Sequence, residues 1–144
     1  MTDDRLRGRA LREVAHPRCI ACSPRAAPGL KLEFHELPDG AVVCQFTGDS
    51  FCEGYPGRLH GGVVSTIIDA AMTNCLFAHG YQAVTAELAV RFVKPALIGR
   101  PTSTRARIAK DMHPLYLMEA ELTQDGLTRA TATAKFILAF DQAR

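Results

Sequence analysis

Asp69 is the residue that most needs a chemical explanation. It lies inside the apolar stretch Val63–Ala78, flanked by Ile67, Ile68, Ala70 and Ala71. A lone carboxylate there costs several kcal/mol to bury unless it is hydrogen-bonded or paired, and it stands too deep to be a helix N-cap. One account is structural: a bond to Thr66, Thr73 or a second subunit would fix register. The preceding loop supports a chemical account. His60-Gly61-Gly62 has no side chain at the two positions where the chain enters the helix, so a ligand carbonyl can approach the backbone closely. The first amides of a helix lack internal acceptors and, with the helix dipole, form a candidate oxyanion hole. A carboxylate two helical turns on, approached from a second subunit, would activate a water against that carbonyl. The combination suits acyl transfer to water.

The elements that position these residues are legible in the periodicity. Residues 5–14 predict a short basic helix stopped by Pro17, and residues 15–29, with Pro17, Pro24, Pro28 and Gly29, a coil leading into the domain. Leu30–Leu37 alternates and is joined through the turn Pro38-Asp39-Gly40 to a return strand at Ala41–Phe46. Residues 47–62, rich in glycine and broken by Pro56, form a loop. Val63–Ala78 is apolar nearly all round, the mark of a central helix covered on most faces, and Gly80 is its left-handed terminator. Three or four strands follow. In Ala83–Val93, strict alternation sets Thr85, Glu87, Ala89, Arg91 and Val93 opposite Ala86, Leu88, Val90 and Phe92. Thr102–Lys110 alternates as well, and Tyr116–Thr123 pairs through Asp125-Gly126 with Leu127–Phe140. There Ala130, Ala132, Ala134 and Phe136 face one way, and Arg129, Thr131, Thr133 and Lys135 the other. An α+β fold, one curled antiparallel sheet around one long helix, satisfies this order. The mixed outer face of the sheet is suited to meeting another subunit.

Composition narrows the function. The 144 residues are 47% hydrophobic and 22% charged, which fits a single globular domain and not a disordered or fibrous chain. Residues 1–31 hold seven basic residues against three acidic ones, and the remainder ten against twelve. The body is thus mildly acidic, which argues against nucleic-acid binding. The apolar stretch is interrupted by Asp69 and Asn74 and is too short for a membrane span. No secretory pattern opens the chain, and five cysteines in that context read as reduced thiols. Cytoplasm is the expected location. Cys19 and Cys22 form one C-x-x-C, half of what a closed zinc site needs; His16 would add a third ligand, with His60 or a partner chain as the fourth. The plainer reading is ordinary thiols in a lead-in, and no metal is assigned.

Leu59-His60-Gly61-Gly62 followed by Asp69, then Thr85-Ala86-Glu87-Leu88 running into Arg91-Phe92-Val93-Lys94-Pro95 and Gly99, resembles the hot-dog-fold acyl-CoA thioesterases of the phenylacetate-pathway group. The resemblance spans residues 30–140 and divides the chain into an extension, 1–29, and a hot-dog domain, 30–144. It implies a sheet wrapped around the helix, homodimers with shared active sites that pair into tetramers, and acyl-CoA substrates with no separate cofactor. It implies Asp69 as general base or nucleophile, Gly61, with Gly62 beside it, as the amide that polarises the thioester carbonyl, and Thr85 as the hydroxyl that helps hold water. Asp69 and Thr85 would come from one chain and the glycine from the other, while His60 holds the loop or touches the thioester. Gly54 departs from the pattern, since some relatives carry asparagine there; Glu53 and Tyr55 are the nearest substitutes. For the coenzyme A phosphates, Arg58 and Lys94 are preferred, with Arg91 next among the remaining basic residues. Two other functions fit the same fold: a non-catalytic acyl-CoA or lipid-binding protein, and an enoyl-CoA hydratase-like enzyme using His60 and Asp69.

Overall fold

The structure is a computed structural model that describes residues 2–139, with side chains from residue 8 onward. Helix α1 (Thr2–Ala15) is followed by strands β1 (His35–Glu36) and β2 (Val42–Thr47), and then by helix α2 (Gly61–Ala78). Strands β3 (Ala83–Phe92), β4 (Pro101–Met112), β5 (Leu115–Gln124) and β6 (Leu127–Leu138) complete the chain. All strands join one antiparallel sheet in the order β1-β2-β4-β5-β6-β3. Helix α2 lies across its inner face, touching β2, β3, β4 and β5. This is the expected α+β, hot-dog arrangement. The last strand ends at Leu138, and Phe140, included in its expected span, lies outside the described residues.

The small side chains explain the close approach of helix and sheet. Ala106, Ala120, Ala130, Ala132 and Ala134 are all buried, in the same core as Ile67, Ile68, Ala71, Met72 and Leu76 of α2. Larger side chains at the alanine positions would force strained packing. By length and hydropathy α2 is the one described helix that could cross a membrane, yet here it is the core helix. It ends in a Schellman motif: Gly80, at φ 84°, donates to the Phe77 carbonyl at 2.9 Å, and Tyr81 to that of Leu76 at 2.9 Å. The β5–β6 hairpin turns on Asp125 and Gly126, both at positive φ, as a two-residue type I′ turn requires.

One expected strand is largely absent. Of Leu30–Leu37 only His35–Glu36 pairs with β2. Residues before it turn their backbone elsewhere: the Leu30 amide donates to Ile20 and that of Leu32 to Ala21, both at 2.8 Å. The segment therefore serves the N-terminal coil, and Ala21 and Leu32 enter the common core. Helix α1 lies on α2, with Gly8 so near Ala78 that an added Cβ would stand 2.9 Å from its Cα. Helix α1 and the coil after it thus pack against the core helix and its surroundings.

Candidate active site

Asp69 is half-buried on α2. Neither nearby threonine on the helix reaches its carboxylate: Thr66 Oγ1 donates to the Gly62 carbonyl at 2.8 Å, and Thr73 Oγ1 to the main-chain carbonyl of Asp69 at 2.9 Å. The partner is Thr85, whose hydroxyl donates to Asp69 Oδ1 at 2.6 Å. Strict alternation places Thr85 on the same face as Glu87, but the structure separates the two. The β3–β6 register slips between Thr85 and Glu87, leaving Ala86 as an extra residue. Thr85 pairs with the fully buried Phe136, whereas Glu87 pairs with Lys135. A β-bulge of this kind re-aims one side chain without breaking the strand; it turns Thr85 inward, onto Asp69.

At the start of the same helix, His60 is the N-cap. Its Nδ1 accepts the Gly62 amide at 2.8 Å, and its carbonyl accepts those of Val63 (2.9 Å) and Val64 (3.1 Å). Of the two glycine amides, that of Gly62 is therefore committed, and that of Gly61 has no acceptor among the described residues. Gly61 opens onto a cavity of about 260 Å³, lined also by Leu59, Val64, Phe92, Lys94 and Arg129. A Cβ at Gly61 would sit 3.5 Å from the Phe92 ring. Nearby, Gly54 backs onto His60, and Glu53 is occupied in accepting the Gly57 amide at 2.6 Å. Tyr55 stands 79% exposed.

The basic candidates separate into different places. Lys94 lines the Gly61 cavity. Arg58 is exposed and outside that lining, with its backbone bridged to Leu97. Arg91 lines a groove of about 640 Å³ on the outer face of the sheet, with Arg105, Arg107 and Glu119. This larger concavity lies across the sheet from Asp69 and Gly61, so its size does not make it the site. Sequence reasoning missed Arg129, expected with the outward-facing residues of β6. A second register slip, between Leu122 and Thr123, leaves Arg129 without a partner opposite it on β5. Its side chain is 13% exposed, donates to the Pro95 carbonyl at 3.0 Å and keeps its Nε unpartnered beside the Gly61 cavity. No one-residue signal marks such a bulge; a lone arginine following a two-residue turn is the only hint.

Comparison with known proteins now bears on the assignment. The family model described as the thioesterase superfamily matches residues 56–111, the stretch carrying Gly61, Asp69 and Thr85. Over that stretch the chain is similar to this superfamily. The acyl-coenzyme A thioesterase THEM4 of Rattus norvegicus is 37% identical over 62 residues, or 43% of this chain and 26% of the relative. The chain thus spans about a quarter of that curated relative. Among solved structures, the Escherichia coli PaaI protein from the phenylacetic acid degradation operon superposes with a TM-score of 0.79 at 16% identity, over 96% of this chain and 94% of that one. A hypothetical thioesterase protein of Streptococcus pneumoniae TIGR4, solved with coenzyme A, gives a TM-score of 0.70 at 19% identity, over 75% and 85% of the two chains. The fold is the hot-dog fold that these structures share.

Proposed function

We propose that the chain hydrolyses acyl-CoA thioesters, with aryl or short-to-medium acyl groups, in active sites shared between two copies of itself. The observation that carries this reading is the placing of two half-sites on one helix. Asp69, bonded to Thr85 at 2.6 Å, stands at its middle, and the uncommitted amide of Gly61 at its start. Eight residues of helix separate them by about 12 Å along the axis, too far to act on one carbonyl. A two-fold-related copy, its β3 edge against this one, would carry the Gly61 of one chain to the Asp69 of the other. Strand β3 is suited to that joint: it lies at the sheet edge and exposes Val84 and Phe92. Native proteins rarely leave so long an edge uncovered. Two such dimers then pair as a tetramer.

In this site the thioester oxygen accepts the Gly61 amide, with the helix N-terminus favouring the negative charge that develops there. Asp69 takes a proton from a water whose position Thr85 fixes, and the water oxygen bonds to the carbonyl carbon. Collapse of the tetrahedral intermediate breaks the C–S bond, and the proton held by Asp69 goes to the departing sulfur. Lys94 and Arg129 meet the coenzyme A phosphates at the cavity mouth, a pairing that keeps Lys94 and puts Arg129 in the place of Arg58. The Streptococcus pneumoniae protein supports the catalytic pair: it was also solved with an aspartate and, sixteen residues on, a threonine each changed to alanine. Asp69 and Thr85 stand the same sixteen residues apart. Five unpaired thiols suit work in the cytoplasm.

A hydratase would need His60 as its acid or base, and its Nδ1 already serves as the helix cap. The test is free-thiol release from a panel of aryl, short, medium and long acyl-CoAs. Asp69→Asn is expected to lower kcat by about 10²- to 10⁴-fold with the oligomer unchanged. Turnover that survives this substitution would remove Asp69 from the mechanism. Saturable binding with no thiol release from any substrate would favour the non-catalytic reading.

A further inference from the structure

We infer that His16, Cys19 and Cys22 form a zinc site that fastens the N-terminal segment to the core helix, independently of the reaction proposed above. One nitrogen and two sulfurs, from a His-x-x-Cys-x-x-Cys spacing, lie within 4.8 Å of one another, and Cys22 Sγ is 3.7 Å from His16 Nδ1. Tetrahedral zinc with bonds of about 2.0–2.3 Å holds its ligand atoms roughly 3.5–3.8 Å apart, so small side-chain rotations close the set. Two thiols and an imidazole form a soft-to-borderline donor set, which selects zinc over magnesium or calcium. A solvent molecule completes the fourth position.

The surroundings are those of a built site. The Ala21 amide donates to Cys19 Sγ at 3.4 Å, and Asn74, whose side-chain amide donates to the Ala70 carbonyl at 2.8 Å, stands beside Cys22 and favours its thiolate. The Cys19 sulfur thus has an N–H donor of the kind that tunes metal-bound thiolates. The loop between and after the ligands is internally braced: Ser23 donates its hydroxyl to the Pro17 carbonyl at 2.8 Å and its amide to that of Cys19 at 3.0 Å. The His16 ring meets Phe77 edge-on, with centroids 5.1 Å apart. Without metal, burial pushes the Cys22 thiol up to about 12 and lowers His16, the latter opposed by the Asp69 carboxylate. A divalent cation would replace the thiol protons and neutralise the two sulfurs together. Because Asn74 and Phe77 are residues of α2, the metal would tie residues 16–22 to that helix.

The full chain, purified under reducing conditions, is expected to contain one zinc per chain by elemental mass spectrometry. Cobalt substitution should give sulfur-to-metal charge transfer in the near ultraviolet and the intense visible bands of a tetrahedral site. A chelator should lower Tm reversibly, with zinc restoring it. Cys19→Ser combined with Cys22→Ser should abolish both the spectrum and the zinc-dependent Tm, and His16→Gln should weaken zinc binding by more than about tenfold. Wild-type protein that stays metal-free after reconstitution with zinc, and gives no cobalt spectrum, would overturn the assignment. So would zinc binding that persists in the double variant, or a Cys19–Cys22 disulfide in protein from a reducing cytoplasm. The wild-type measurements decide the matter even if a variant fails to fold.

Discussion

The Thr85 hydroxyl has two duties that substitution can separate. It donates to Asp69 Oδ1 at 2.6 Å, and it keeps lone pairs free for a water. Thr85→Ser keeps both and is expected to retain most activity. Thr85→Ala removes both, leaves the carboxylate free to turn, and should lower kcat about tenfold or more, a loss of at least about 1.4 kcal/mol of transition-state stabilisation. KM should move little, because Thr85 orients water and not coenzyme A; equal losses in the alanine and serine variants would deny the hydroxyl any part. The two members of this pair were unequally legible in the sequence. A carboxylate among Ile67, Ile68, Ala70 and Ala71 is anomalous by composition alone. Thr85 is an ordinary strand residue, and period-two counting assigned it to the wrong face. Only the resemblance to known thioesterases pointed to it, and the bulge at Ala86 is the physical reason.

At the scale of elements, α2, the β2–β4–β5–β6 sheet and both tight turns were readable because pattern and turn chemistry agreed. What was not readable came from backbone groups finding competing partners: bulges at Ala86 and Arg129, and the coil that takes the Leu30 and Leu32 amides. The packing of α2 against β2 carries a consequence for pH. Cys44 on β2 and Cys75 on α2 are fully buried, and burial raises both thiols from 9.0 to about 12. Below pH 9 the thiol is protonated whether the chain is folded or not, and its burial costs nothing extra. As pH rises from 9 toward 12 the unfolded chain releases the protons while the folded one holds them, so stability falls. Between pH 8 and 10 each thiol should remove about 1 kcal/mol of unfolding free energy. Urea midpoints followed across that range should decline less steeply for Cys75→Ala than for the wild type. Parallel declines would mean that the Cys75 thiol ionises as freely in the core as in water.

For the whole molecule, the arrangement of half-sites makes a prediction that no single-chain enzyme shares. If Asp69 of one subunit works with Gly61 of the other, two inactive variants can restore a site between them. Asp69→Asn removes the base. Gly61→Val sets a side chain where the thioester oxygen must approach, and Phe92, 3.5 Å from the new Cβ, leaves room for it in the fold. Each variant alone forms dimers with both sites defective. In a mixed dimer one site receives both substitutions, and the other receives an intact aspartate and an intact glycine. Random pairing makes half the dimers mixed, each with one good site of two, so a co-expressed equimolar mixture should recover about a quarter of wild-type activity. Purifying the mixed dimer by two different tags should raise this to about half. A site built within a single chain gives a different result, because neither subunit of the mixed dimer then holds both groups and no activity returns. The recovered fraction therefore reports whether catalysis crosses the interface, without relying on the position of any bound ligand.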